Sequence, residues 1–97
     1  MMLSKEILSD TADLYGISVC GILSSSRQRK YTDARAVVCY LLHNNGLMSC
    51  TEIAGMIHRT HPSVLYLEKK AKEWVGQPIL NKRAVCAIKE LQKRYSI

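Results

Sequence analysis

No phenylalanine occurs in this sequence, so its core has to rely on leucine, isoleucine, valine, tyrosine and the single tryptophan, Trp74. Hydrophobic residues still make up 47% of the 97 residues, which is enough for one small globular domain and leaves little scope for a second. No apolar run approaches the length of a membrane span, and the chain begins without the basic start and apolar stretch of a signal peptide. We therefore expect one cytoplasmic domain over residues 1–97, with no membrane association.

Sequence patterns that are typical of enzymes are also missing. There is no G-x-x-x-x-G-K-[ST] phosphate loop, no serine in a nucleophile elbow and no pair of carboxylates placed for a cleft. A cysteine nucleophile beside His43 or His61 is conceivable, but no motif singles one out. We expect a protein that is not an enzyme and that binds no nucleotide.

The cysteines are scattered and form no C-x-x-C pair: Cys20, Cys39, Cys50 and Cys86. Each lies in or beside an apolar helical stretch, where a free thiol behaves as a small hydrophobic group. Cys39 and His43 are four residues apart and could offer two metal ligands, but no recognisable second pair follows. We expect reduced thiols, no metal site and no cofactor.

Acidic residues are few, and the charge is unevenly distributed. Residues 1–26 carry one lysine and three acids, whereas residues 27–97 carry 13 lysines and arginines and five acids, within a net charge of +6. A basic surface on a small helical domain is typical of nucleic-acid binding. Solubility or an acidic protein partner would be the simpler explanation.

Apolar residues at helical spacing predict six helices, and no strand pattern is present. The helices are expected over about residues 4–15, 18–23, 32–44, 49–57, 61–75 and 81–97. Thr32 is the predicted cap of the third, central helix, and Gly16 is expected to end the first. The first helix should bury the side chains of Ile7, Leu8, Thr11, Leu14 and Tyr15. The predicted fold class is therefore an all-α bundle.

The fourth and fifth segments have the pattern of a helix-turn-helix. Ser49 and Glu52 form the S-x-x-E capping box of one helix, and Pro62 suits the first turn of the next. The second of these helices has one apolar face, formed by Val64, Leu67 or Glu68 beside it, Ala71 and Trp74. In a DNA-binding helix-turn-helix the start of the second helix enters the major groove. A buried helical hairpin would show the same periodicity.

Several pieces of the sequence, in order, resemble the C-terminal DNA-binding domain of the bacterial replication initiator DnaA. They are Ile17-Ser18-Val19 with Ile22-Leu23, Arg27 with Arg29, Arg35 with Leu41-Leu42, Glu52-Ile53-Ala54, and the run from Arg59 to Leu65. The resemblance covers about residues 7–73. It implies a Trp-repressor-like fold and sequence-specific binding of double-stranded DNA, in replication initiation, in its regulation or in transcription. The ATPase domain of that family has no counterpart here.

The sequence departs from the family pattern where that family contacts bases. The paired glycines before the arginine are replaced by Ile57-His58, in a turn one residue shorter. Thr60 stands where the motif has aspartate, and Pro62 stands where it has its first threonine. The preferred DNA sequence of this chain is therefore left open.

Nine residues are predicted to contact DNA: Arg27, Arg29, Lys30, Arg35, Arg59, Thr60, His61, Ser63 and Lys69. His61 and Ser63 can reach base edges from the start of the second helix. The resemblance assigns Arg27 to the neighbouring minor groove and brings Arg59 to the DNA. Arg29, Lys30 and Arg35 are expected to contact phosphates, and Lys69 to follow the backbone.

The last helix, residues 81–97, lies outside the resemblance. Its apolar face is formed by Val85, Ile88, Leu91 and Tyr95, and it must be covered by the domain or by a partner. Packing within the domain is the expectation, because so small a domain needs each apolar contact. The alternatives are a homodimer through this helix, or a protein-interaction module of the same fold.

Overall fold

The computed structural model describes residues 2–97, and these form six α-helices and one short 3-10 helix. The α-helices are α1 (Met2–Tyr15), α2 (Val19–Leu23), α3 (Arg29–Asn44), α4 (Cys50–Ile57), α5 (His61–Gly76) and α6 (Lys82–Tyr95), and the 3-10 helix is Pro78–Leu80. No strand occurs within residues 2–97, so the predicted all-α fold is confirmed. None of the helices described has both the length and the apolar character needed to span a membrane.

Helix α3 is the centre of the bundle and packs against each of the other five α-helices. Every residue from 34 to 42 is buried, so this helix is enclosed on all sides rather than along one stripe. Helices α4 and α5 pack on each other and on α3, whereas α1 and α6 also contact each other. The α4–α5 pair is therefore mounted on a central helix that cannot shift without disturbing the whole core.

Side-chain caps lie at the predicted starts of α2, α4 and α6. Ser18 Oγ accepts from the Gly21 amide, and Ser49 and Glu52 form the capping box of α4. Asn81 Oδ1 accepts from the Ala84 amide at 3.0 Å and starts α6. Gly16 ends α1 with a φ of +64°, a conformation that costs glycine little. These boundaries depend only on neighbouring residues, which is why the sequence indicates them.

The predicted start of α3 at Thr32 is wrong, because the helix begins at Arg29 with Gln28 as its cap. Gln28 makes no side-chain capping hydrogen bond, so no cap signal marks this boundary in the sequence. The Thr32 hydroxyl instead donates to the Arg29 carbonyl inside the first turn, at 3.1 Å. Threonine makes such a bond within helices as well as at caps. As a result Arg29 and Lys30 belong to α3 rather than to the preceding loop.

One detail of the predicted core differs from the structure, and one alternative that the sequence left open is settled. Leu14, predicted on the buried side of α1, is 36% exposed. On α5 the buried position is Glu68 rather than Leu67, since Glu68 is only 5% exposed and Leu67 is half-buried. Residues 67 and 68 both lie near the inner face of the helix, and hydrophobicity alone would place the leucine inside.

The apolar face of α6 is covered by the domain itself. Val85, Ile88 and Leu91 are buried, and α6 packs against α1, α3 and α5. Tyr95 is half-buried, and its hydroxyl donates a short hydrogen bond to the Asp10 carboxylate on α1. The expected packing within the domain is thus confirmed, and the interaction module that would have used this face has no free apolar surface there. A homodimer through α6 stays a prediction, and it would have to use the outer, charged side of the helix.

Candidate nucleic-acid interface

The turn between α4 and α5 exposes the start of α5. His58 ends α4 in the left-handed conformation, with a φ of 57°, and Thr60 begins the next helix as its N-cap. Pro62 lies in the first turn of α5, where its missing amide hydrogen is not needed. The predicted helix-turn-helix is confirmed. The N-terminal turn of its second helix is exposed, and the helix dipole there favours a nearby phosphate.

The polar side chains at the start of α5 differ in how many hydrogen bonds they already make within the protein. Thr60 Oγ1 accepts from the Ser63 amide at 3.3 Å and donates to Ser63 Oγ at 3.0 Å, so both hydroxyls already take part in the cap. His61 is exposed, and neither ring nitrogen makes a hydrogen bond within the part of the chain that the structure describes. Of the three predicted DNA contacts in this segment, Thr60, His61 and Ser63, His61 has the most hydrogen-bonding capacity left for a ligand.

Arg35 does not fit the predicted role of a phosphate contact. Arg35 is 2% exposed, and its guanidinium donates to four backbone carbonyls of α2 and the loop that follows it: Gly21, Ile22, Ser24 and Ser26. Burial, followed by the nearby charge of Arg59, lowers the pKa of Arg35 from its usual value. The four carbonyls offset this cost, because bonds to a charged donor are stronger than neutral ones. Arg35 therefore shapes the basic loop from inside.

Arg59 links the helix-turn-helix to the same loop. Its guanidinium donates to the Ser24 carbonyl at 2.5 Å and to the His58 carbonyl at 3.0 Å. Arg35 donates to the same Ser24 oxygen at 2.7 Å, so two arginines from separate elements meet on one acceptor. Arg59 is half-buried beside the turn. This contact fixes the spacing between the loop and the start of α5.

A cavity of about 530 Å³ lies between the loop and the start of α5. Its lining includes three arginines and no acidic side chain: Ser25, Arg27, Thr32, Arg35, Arg59, Ser63, Tyr66 and Leu67. Two neighbouring cations in a recess without a carboxylate, Arg35 and Arg59, create a strongly positive local field. We call this recess the arginine cleft, and it suits a negatively charged group.

Arg27, Arg29 and Lys30 continue the positive surface beyond the arginine cleft. Arg27 is exposed and makes no hydrogen bond or ion pair to any of residues 2–97. The Arg29 side chain is 81% exposed and lies 3.6 Å from the Asp33 carboxylate. Lys30 Nζ lies 5.2 Å from the centre of the Tyr31 ring. All three charged groups are accessible at the start of α3.

Lys69 lies farther along α5 and is exposed, close to Tyr66 and Lys70 on the outer side of the helix. Tyr66 was not among the predicted residues, although it is 59% exposed and lines the arginine cleft. Its spacing of three residues from Ser63 and four from Lys70 is the signal that could have placed it on this outer face. Tyr66 thus extends the candidate interface along α5.

The inner side of α5 is anchored by a buried polar pair. Glu68 Oε2 lies 2.6 Å from His43 Nδ1 on α3 and 4.0 Å from Lys72 Nζ. A carboxylate that is 5% exposed needs such partners to offset its desolvation. Glu68 lies on the same face of α5 as the buried Val64 and Ala71, so the pair helps to hold this face against α3. Within residues 2–97, no three histidine, cysteine or acidic side chains are grouped as metal ligands would be.

Comparisons with known proteins agree with this geometry. Residues 4–71 match the model of the family described as the bacterial dnaA protein helix-turn-helix. The chain is 29% identical over 69 residues to the chromosomal replication initiator protein DnaA of Pseudothermotoga lettingae, a match that covers 71% of this chain and 16% of that protein. It is 28% identical over 90 residues to the chromosomal replication initiator protein DnaA 1 of Chlamydia muridarum, covering 93% of this chain and 20% of that protein. The chain thus spans a fifth or less of the length of these curated relatives.

Proposed function

Because this chain belongs to the bacterial DnaA helix-turn-helix family, we propose that it binds double-stranded DNA with sequence preference. The observation that carries the proposal is the arginine cleft, which joins the loop before α3 to the exposed start of α5 and contains no acid. A duplex presents phosphates beside each groove, so a helix start flanked by arginines can be held against the backbone while it reaches base edges.

We assign base reading to the first turn of α5. His61 is exposed and can donate or accept a hydrogen bond in the major groove. Ser63 supplies a second polar group, and Thr60 orders both by capping the helix. Since the Thr60 and Ser63 hydroxyls are already hydrogen-bonded to each other, the imidazole of His61 should contribute more to sequence preference than either hydroxyl.

We assign positioning on the duplex to the basic residues. Arg27 is the candidate for the neighbouring minor groove, where a narrow groove attracts arginine. Arg29, Lys30 and Lys69 would contact phosphates, and Arg59 would do so from the edge of the arginine cleft. Contacts of this kind fix register without selecting a sequence.

The biological process that best fits is replication initiation or its regulation, since the relatives are named chromosomal replication initiator proteins. Transcriptional control through the same interface is the other candidate. The 97 residues contain no G-x-x-x-x-G-K-[ST] motif, so we propose that their contribution is DNA binding rather than nucleotide hydrolysis.

Salt dependence of duplex binding tests the proposal most directly. If four or five phosphates are neutralised, the logarithm of the binding constant should fall against the logarithm of salt with a slope of about −4. Fluorescence anisotropy with a labelled duplex between about 50 and 200 mM salt measures this slope. Binding that is insensitive to salt, or no binding to any duplex at low salt, would refute DNA binding.

Selection from random duplexes separates base reading from backbone contact. His61→Ala should relax the preference at one or two positions and cost about 1–3 kcal/mol on the preferred site. Lys69→Ala should weaken all sequences alike. Lys5→Ala, an equal loss of charge at an exposed position of α1, is the control and should leave both properties unchanged. An unchanged preference after His61→Ala would remove His61 from the base-reading role.

A further inference from the structure

The N-terminal ends of α3 and α6 lie side by side and are joined by a side-chain hydrogen bond. Asn81, the cap of α6, donates from Nδ2 to Asp33 Oδ2 on the first turns of α3 at 3.0 Å. The same residue uses Oδ1 to accept from the Ala84 amide. Although α6 lies beyond residues 4–71, its amino end is therefore held next to the basic residues that begin α3.

A second positive recess lies at this junction. It has a volume of about 310 Å³ and is lined by Tyr15, Arg29, Lys30, Asp33, Asn81 and Arg83. Three of these side chains are cationic and one is acidic. The one carboxylate, Asp33, already accepts from Asn81 and lies 3.6 Å from Arg29. The recess consequently keeps a net positive charge, and we call it the α3–α6 cleft.

Arg83 is held in place in this cleft without being neutralised. Its guanidinium carbon lies 4.7 Å from the centre of the Tyr15 ring, which is itself buried. Stacking on an aromatic ring uses the face of the guanidinium and leaves the N–H groups at its edge free to donate. Arg83 is exposed and forms no ion pair with any of residues 2–97. A positioned, unpaired arginine is well suited to a phosphate oxygen.

We propose that the DNA footprint continues from the arginine cleft across Arg29 and Lys30 to Arg83, which contacts a phosphate of the duplex backbone. This inference rests on the proposed DNA binding and assigns a contact to α6, outside the part of the chain that matches the family model. The duplex is the chosen partner because Arg29 and Lys30, which follow Arg27 of the arginine cleft along the chain, line the α3–α6 cleft together with Arg83, and Asp33 is the one carboxylate in that lining. A backbone with regularly spaced phosphates fits such a strip better than one isolated anion.

The test compares Arg83→Ala with Lys89→Ala in the full chain. Both remove one exposed positive charge from α6, but Lys89 does not line the cleft. One lost phosphate contact should reduce the magnitude of the salt slope by about 1 and weaken all duplex sequences alike. Lys89→Ala should leave the slope as it is, and neither variant should change the preference obtained by selection.

Arg83→Lys and thermal melting distinguish a contact from a structural effect. The lysine keeps the charge, so it should restore most of the salt slope that Arg83→Ala removes. If Arg83→Ala binds like Lys89→Ala while the unaltered chain shows steep salt dependence, the Arg83 contact is wrong and the proposed function stands. If Arg83→Ala lowers the melting temperature and Arg83→Lys restores no slope, the contact is likewise refuted. No duplex binding by the unaltered chain would refute the proposed function itself.

Discussion

Arg35 is the residue on which the shape of the basic loop depends most. It supplies the donors for four carbonyls between Gly21 and Ser26, and it shares the Ser24 oxygen with Arg59. A lysine at this position would keep the charge but could not reproduce the planar, forked set of donors. The charge would then be buried with too few partners.

We predict that Arg35→Lys lowers the free energy of unfolding by roughly 3 kcal/mol, because buried carbonyls lose charged donors. Urea denaturation measures the loss, and the matched Arg27→Lys on the exposed part of the loop should change stability by less than about 0.5 kcal/mol. DNA binding by Arg35→Lys should weaken because the loop is disordered. If stability is retained, the four carbonyls do not depend on the forked donors of Arg35 and this structural role is wrong.

The buried Tyr15 hydroxyl should make stability depend on alkaline pH. Burial, with a smaller effect of the Asp33 charge, raises the pKa of Tyr15 from 10.0 to about 12. The unfolded chain therefore loses this proton first, and the folded state is destabilised as the pH rises from about 10 towards 12. Below pH 10 the hydroxyl is protonated in both states and contributes no pH dependence.

Tyr15→Phe removes this ionisation and keeps the ring beneath Arg83. Between about pH 9.5 and 11 the variant should lose roughly 1 kcal/mol less stability than the unaltered chain, as measured by urea denaturation at each pH. The Tyr95 hydroxyl, whose hydrogen bond to Asp10 also raises its pKa to about 12, leaves a residual dependence in both proteins. Equal loss in the two proteins would show that Tyr15 does not titrate in this way.

The turn of the helix-turn-helix contains one residue with a strained backbone conformation, His58. His58 ends α4 with a φ of 57°, where a side chain is disfavoured and glycine is not. The Arg59 amide still closes the turn by donating to the Ala54 carbonyl at 2.9 Å. The α4–α5 geometry is therefore obtained at a cost of about 1 kcal/mol in this one residue.

His58→Gly should raise the free energy of unfolding by up to about 1 kcal/mol, since glycine relieves the strain of the left-handed conformation. His61→Gly, the same change three residues later at an ordinary helical position, should instead be neutral or destabilising. Thermal melting of both variants gives the comparison. Destabilisation by His58→Gly would mean that the imidazole contributes more than its backbone strain costs.

At the scale of the whole molecule, α6 belongs to the same core as the helix-turn-helix. Leu91 and Ile88 are buried in one cluster with Ile7 of α1 and Leu41 of α3. The helix that supports the proposed Arg83 contact is thus coupled through α3 to the helices that would read the bases. Loss of this packing should affect stability everywhere rather than only at the end of the chain.

Leu91→Ala should lower the free energy of unfolding by about 2–5 kcal/mol, because it leaves a cavity in a fully buried position. Lys89→Ala on the outer side of α6 should change it by less than about 0.5 kcal/mol. Sedimentation of both variants shows whether association is involved. Should Leu91→Ala leave melting unchanged and convert a dimer into a monomer, this face of α6 is an assembly surface.

The sequence by itself determined the features that depend on neighbouring residues. Ser49 with Glu52, Asn81 and Gly16 mark helix ends because their caps close within a few residues along the chain. The spacing of apolar residues predicted the six helices and the helix-turn-helix, because helical periodicity is also a pattern among residues close in sequence. Resemblance to the DnaA C-terminal domain added the expectation of DNA binding, and the matched family confirms the kinship.

Only the tertiary structure decided which polar side chains are exposed and unpaired, and so available to bind a partner. Arg35 and Arg29 are both arginines near the start of the third helix, yet one is enclosed by carbonyls of a distant segment and the other faces solvent. Glu68 is buried by its pairing with His43, 25 residues away, and Arg83 is brought beside Arg29 by the packing of α6. Burial and charge pairing depend on contacts between remote parts of the chain, and no local pattern in the sequence records them.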